Sequence, residues 1–310
     1  MNHLILGAAT TYPLEHIRPF ALSLRRAGYE GHVCLLVGQL TSLEYERLQA
    51  WGVEPYAVAA DRPFPRQHLQ RWITQLRASR LFHLPGGPEH RCERYRIAAR
   101  LHHISCSRYF YYYEYLVRHP GAFDAVMLTD VRDVFFQDDP FRFRAAAPLL
   151  FFVENGEECI QTNAYNARWM RRLYGDRALR ALGDRPIVCS GTTIGRYAAV
   201  VRYLEQMSNE LVRLTGRIKG RSGFDQAVHN YLVWRGRFPQ SLRLDNGSGP
   251  VLTMGIERVE RFLSPSNGAF VNRDGSAVAV LHQYDRHASH AQRLLATLPD
   301  ASRPVGEPAD

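Results

Sequence analysis

Asp124-Ala125-Val126-Met127-Leu128-Thr129-Asp130-Val131-Arg132-Asp133-Val134-Phe135-Phe136 carries the clearest signal in the chain. An apolar run of strand length ends in two carboxylates, and open α/β sheets gather ligands at the carboxyl ends of their strands. Two acids held together there are costly unless something positive neutralises them, and a hard divalent cation with oxygen ligands does so. Strand side chains alternate, so Asp130 and Asp133, three residues apart, converge only where a bulge or turn separates them. The competing reading is an ion-paired turn in which Arg132 satisfies both acids.

Working outward, Leu4-Ile5-Leu6-Gly7-Ala8-Ala9 reads as a buried strand ending in small residues. A helix over 14–27 and the apolar strand His32-Val33-Cys34-Leu35-Leu36-Val37 complete a βαβ opening. The pattern continues with a helix over 43–51, a short strand over 53–59 and a helix over 66–82. Leu84-Pro85-Gly86-Gly87-Pro88 then reads as an exposed loop. Alternation of this kind predicts an α/β fold with a mixed, mainly parallel sheet flanked by helices. Downstream, strands are expected at 149–153 and, with a turn, 187–195, and helices over 164–174, 197–215 and 224–234. No interdomain linker is visible, so residues 1–298 read as one domain, with a Pro- and Gly-rich tail over 299–310.

The helix Ser107-Arg108-Tyr109-Phe110-Tyr111-Tyr112-Tyr113-Glu114-Tyr115-Leu116 is dense in tyrosine. Such a run can stack nucleic-acid bases, but at helical spacing it more often packs a core.

The chain has 310 residues, 45% of them hydrophobic and 22% charged, which excludes long disorder and collagen. Lys plus Arg is 39 against 30 for Asp plus Glu, giving +9, and Lys219 is the one lysine. Schiff-base and Walker-type chemistry are thereby nearly excluded, while arginine suits phosphate-rich ligands. The five cysteines are scattered and never spaced CxxC, against both a disulfide framework and a cysteine zinc site. With no signal peptide or membrane span expected, a cytoplasmic protein, peripheral at most on the inner membrane surface, is the simplest placement.

On the Asp130-Val131-Arg132-Asp133 motif the chain resembles GT-A-fold glycosyltransferases, in which an apolar strand ends in a DXD-like acidic motif. Three further segments extend the resemblance. Cys189-Ser190-Gly191-Thr192-Thr193-Ile194-Gly195 is similar to the small-residue turn that admits the donor sugar. Gly223-Phe224-Asp225-Gln226-Ala227 resembles the acidic helix start near the reacting sugar, and Val280-Leu281-His282-Gln283-Tyr284 the late histidine that adds a metal ligand. The resemblance runs over roughly residues 3–290 in order of elements. It implies a sugar-nucleotide-dependent transferase of bacterial surface glycan synthesis, with a nucleotide-diphospho-sugar donor and a glycan or lipid-linked acceptor. Asp133 would ligate the metal directly, Asp130 would lie near ribose and metal, and His282 would be the third ligand. Ala8, Ala9 and Thr10 would pass near the base, Arg108 would face the nucleotide, and Gly191 and Thr192 would lie by the sugar.

Two carboxylates and an imidazole favour Mn²⁺ or Mg²⁺, with zinc second. Asp225 is the candidate general base for an inverting reaction; in a retaining one it would steady the sugar. Glu154 and Glu157 are reserve candidates for sugar or acceptor contact. The rivals are a metal-dependent phosphoesterase or nuclease built on the same three ligands, which usually gathers more of them, and a basic RNA-binding module. No RNP, KH or zinc-knuckle pattern supports the latter, so nucleic acid is not the expected partner.

Overall fold

The computed structural model describes residues 2–58, 87–144, 147–266 and 268–299. The helix expected over 66–82, most of the loop at 84–88 and the tail beyond 299 lie outside them. In chain order the elements begin β1 (His3–Ala8), α1 (Leu14–Arg26), β2 (His32–Val37), α2 (Ser42–Ala50) and β3 (Glu54–Ala57). There follow α3 (Pro88–Ala99), α4 (Ile104–Arg118), β4 (Ala125–Thr129), β5 (Val134–Phe136) and β6 (Leu149–Val153). Next come α5 (Ala164–Tyr174), α6 (Asp176–Leu182), β7 (Val188–Arg196), α7 (Tyr197–Ile218) and α8 (Phe224–Trp234). The last are β8 (Ser241–Leu244), β9 (Val251–Thr253), β10 (Val280–His282) and α9 (Ala288–Leu295).

Among the described residues, seven strands form the main sheet in the order β3-β2-β1-β4-β7-β6-β8, parallel except for β7, which runs against β4 and β6. Because β1 has β2 on one side and β4 on the other, connections diverge between β1 and β4. A crevice opens at such a switch point, outside the carboxyl ends of both strands. Ala8 and Asp130 stand at those two ends. A second, three-stranded sheet, β5-β10-β9, lies against this edge.

Strand alternation divides the core. Leu4, Leu6, Val126 and Leu128 face α3, α4, α7 and α8, while Ile5 and Met127 pack with Ile17 and Phe20 of α1 on the other face. Tyr109, Tyr111, Tyr112, Tyr113 and Tyr115 are all buried, at most 6% exposed. The tyrosine run is therefore core, and base stacking on it is excluded. Each such ring contributes about 1.5–3 kcal/mol by leaving water.

Two core histidines give the fold a pH dependence. Burial lowers His102 to about 4 and His229 to about 3; His229 Nδ1 shares a hydrogen bond with the Tyr203 hydroxyl at 2.8 Å. Their folded values lie below the unfolded one, so their contribution is full above about pH 6.5 and is lost as pH falls. Each steepens the acid limb by about 1.4 kcal/mol per pH unit. His229→Phe is expected to flatten urea-derived stability between pH 6 and 4 by about that slope; an unchanged slope would place the ring outside the titration.

Candidate active site

β4 ends at Thr129, and the chain turns through Val131 and Arg132 before β5 begins at Val134. That turn supplies the reversal the D-x-x-D spacing requires. Backbone bonds pin it: Asp130 N–H donates to the Gly191 carbonyl at 2.7 Å, and the Asp133 carbonyl accepts from Gln283 N–H at 2.6 Å. β10 pairs with β5 so that His282 stands opposite Val134, next to Asp133. Gln283 then takes a left-handed conformation, φ 59°, as the chain leaves the strand. A ligand atom from each of Asp130, Asp133 and His282 thus lies within 4.8 Å of the others. His282 Nε2 is 3.3 Å from Asp130 Oδ2.

Arg132 does not satisfy both acids. It lies 3.9 Å from Asp133 and 3.3 Å from Asp285, whereas Asp130 accepts a hydrogen bond from Arg108. Arg108 Nη2 also donates to Asp225 Oδ2 at 3.1 Å and to the Ser190 carbonyl at 3.3 Å. One buried guanidinium therefore ties the end of β4 to the first turn of α8, a double commitment the sequence did not signal.

Burial raises the Asp130 carboxyl, but Arg108 and His282 together outweigh it and hold the group well below the usual carboxylate range. Asp133 moves the other way: burial and the Asp130 charge push it up against the pull of His282. Its arginine neighbours, Arg132 and Arg286 at 3.9 and 3.7 Å, are 38% and 45% exposed, so water screens them. Asp133 is a buried carboxylate short of a close counter-charge. Two carboxylates and an imidazole around that spot fit Mn²⁺ or Mg²⁺.

Gly191 makes the room. It lies inside β7, a continuous strand where the sequence suggested a turn, and a Cβ there would stand 2.5 Å from Asp130 Oδ2 and 2.8 Å from His282 Nε2. Glycine within a strand marks such close approaches. Gly191→Ala is expected to weaken Mn²⁺ binding about 10- to 100-fold by titration calorimetry, the range for displaced ligand support. Unaltered affinity would show that Asp130 and His282 do not act together across this backbone.

Behind the imidazole, Cys189 Sγ lies 3.5 Å from His282 Nδ1 and accepts from Gly191 N–H at 3.3 Å. With Nδ1 engaged, Nε2 is the nitrogen turned to the acids. Gln226, in the first turn of α8, accepts from Ser190 N–H and donates to Glu154 Oε1, both at 2.8 Å. Cys189 and Gln226 lie inside stretches quoted above, yet nothing in their residue types singled them out. Tyr12 was also missed; its hydroxyl is pushed up by burial and then by Asp130 and Asp133.

These groups line an open cavity of about 450 Å³ that Ala8, Arg108, Asp130, Asp133, Glu154, Gly191, Asp225 and His282 share. Burial raises Asp225 while Arg108 opposes it. Thr10 and Thr192 are not on its wall; both are buried, and neither hydroxyl has a partner among the described residues. Ala9 spends its N–H on the Leu36 carbonyl at 2.7 Å. Glu157 is an exposed loop residue, 3.6 Å from Arg261.

No protein-family model and no curated protein matches the chain. Among solved structures, the galactosyltransferase LgtC, in complex with donor and acceptor sugar analogs, matches over 96% of this chain and 96% of its own, at 14% identity and a TM-score of 0.50. The chain has the GT-A fold. In this GT-A fold the acid pair occupies the carboxyl end of β4 at the switch point, and the small sheet carries the imidazole to it.

Proposed function

We propose that the chain is a metal-dependent glycosyltransferase. It moves a sugar from a nucleoside-diphosphate donor to a hydroxyl of a glycan or lipid-linked acceptor, in bacterial surface glycan synthesis, with residues 1–298 working as one catalytic unit. The observation that carries this reading is the convergence of Asp130, Asp133 and His282 at the strand ends of a GT-A fold, beside a cavity of about 450 Å³. That volume is in the range of small-molecule sites.

Departure of the donor diphosphate concentrates negative charge on the leaving group. Asp130, Asp133 and His282 would hold a divalent cation, which when bound would supply Lewis-acid stabilisation of that charge. Arg108, fixed between Asp130 and Asp225, sets the distance between the acid pair and the start of α8. Asp225 accepts the acceptor's proton if the reaction inverts configuration, and a carboxyl raised by burial is the better base for that task. In a retaining reaction the same carboxylate steadies the positively charged sugar.

Among the described residues no helix is long and apolar enough to cross a membrane. The charge of +9 suits a cytoplasmic enzyme resting on an anionic inner membrane surface.

Thermal shift and slow hydrolysis across a panel of sugar nucleotides with Mn²⁺ test the proposal. At least one donor is expected to raise the melting temperature only when metal is present. A protein indifferent to every donor, yet cleaving phosphodiesters, would replace this reading with the phosphoesterase one.

A further inference from the structure

α5 begins beside the cavity, and its first turns carry an aromatic pair at helical spacing, Tyr165 and Trp169, both on the cavity wall. Their ring centroids are 5.8 Å apart at 39°. Tyr165 is 62% exposed, among the most solvent-facing large apolar side chains described, and Ile256 on the same cavity is 45% exposed. A folded chain leaves such surface in water at a cost, and its concentration around one cavity points to a ligand that covers it.

Local structure holds the pair in place. Asn163 caps α5, its side chain accepting from Asn166 N–H at 3.1 Å. The Arg168 guanidinium lies 5.4 Å from the Tyr165 ring centroid. Trp169 packs so closely on Gly223 that a Cβ at that glycine would stand 2.4 Å from the indole. Gly223, at φ 82°, is the N-cap of α8, two residues before Asp225. Two residues span at most about 7 Å of backbone, so the aromatic surface adjoins the carboxylate proposed to act at the reacting centre, where the acceptor hydroxyl must arrive in either stereochemical course.

The occupant must offer an apolar face to the rings and hydroxyls to the polar floor, where Asn166, Asp225 and Gln226 line the same cavity. A pyranose does both: its axial C–H bonds form a flat apolar patch that meets the negative face of an aromatic ring, while its hydroxyls project around the rim. An acyl chain lacks the hydroxyls. We propose that Tyr165 and Trp169 form a stacking platform for a pyranose ring of the acceptor, so that the acceptor is a glycan engaged through a sugar face. The inference rests on the transferase reading above.

A glycan array probed with the labelled full-length protein and Mn²⁺ tests it, alongside hydrolysis of the sugar-nucleotide panel. Wild type is expected to bind at least one pyranose glycan. Tyr165→Ala is expected to weaken that binding about tenfold, the size of one lost stacking contact, whereas Tyr165→Phe keeps it. Tyr165 is solvent-facing, so its replacement avoids the packing that Trp169 makes with α8. Tyr45→Ala, at an exposed tyrosine of α2 away from the cavity, is expected to leave array binding unchanged. Glycans that bind Tyr165→Ala as tightly as wild type would overturn the platform, as would an array without a hit for a protein that hydrolyses donors. A protein that neither binds nor hydrolyses any donor would instead remove the transferase reading, a separate outcome.

Discussion

Asp133→Ala and His282→Ala are each expected to abolish metal-dependent donor binding: the Mn²⁺-dependent thermal shift with sugar nucleotides is expected to disappear and donor turnover to fall at least about 10³-fold, the scale of losing transition-state charge stabilisation. The two variants separate in stability. Asp133 is a buried carboxylate whose nearest arginines are screened by water, so its removal is expected to leave the metal-free melting temperature unchanged or slightly raised. His282 is 1% exposed and engages both Cys189 and Asp130, so its removal takes one buried contact from each, although Arg108 and Gly191 N–H still reach them, at about 1–3 kcal/mol. A Mn²⁺-dependent shift surviving in Asp133→Ala would detach the acid from the metal and leave the D-x-x-D turn as structure alone.

Asp225→Asn is expected to divide the two functions the other way. The amide keeps the shape of the carboxylate and can still accept from Arg108 and Ser190, so donor binding and the metal response persist. It cannot take up a proton or stabilise a cationic sugar, and turnover is expected to drop about 10²- to 10⁴-fold. Thermal shift with donor and Mn²⁺, set beside single-turnover transfer or donor hydrolysis, reads both quantities in one preparation. Equal loss of binding in this variant and in Asp133→Ala would merge the proposed roles into one electrostatic unit joined through Arg108.

Several elements were legible in the sequence: β2 and β6, as continuous apolar runs buried on both faces, and α5 and α8, as helix-length stretches, fall on the expected residues. Asp130 and Asp133, named from motif and spacing, converge because the intervening turn reverses direction, a possibility that alternation raised but could not decide, and His282, named from the family resemblance, joins them through the β5–β10 pairing. The small sheet was harder to see. β5, β9 and β10 have three residues each, too few for periodicity, yet their pairing places the imidazole. Arg108, expected to face a nucleotide, lines the cavity and also donates to Asp130, Asp225 and Ser190. Those partners lie up to 117 residues away, beyond any local pattern. For the same reason the strand Gly191 occupies looked like a turn: its glycine answers to side chains arriving from elsewhere in the chain.

The pairing of β5 with β10 also sets an order of events during synthesis. On the ribosome, the acids at positions 130 and 133 emerge long before residue 282, and a nascent chain holding only the first two offers a cation a weak, solvent-filled seat. His282 reaches the two acids only when β10 docks on β5, so a chain stopped before it cannot bring the three side chains together. If the proposed ion binds only the completed fold, its affinity would add to folding, and an unfinished copy would lack that contribution.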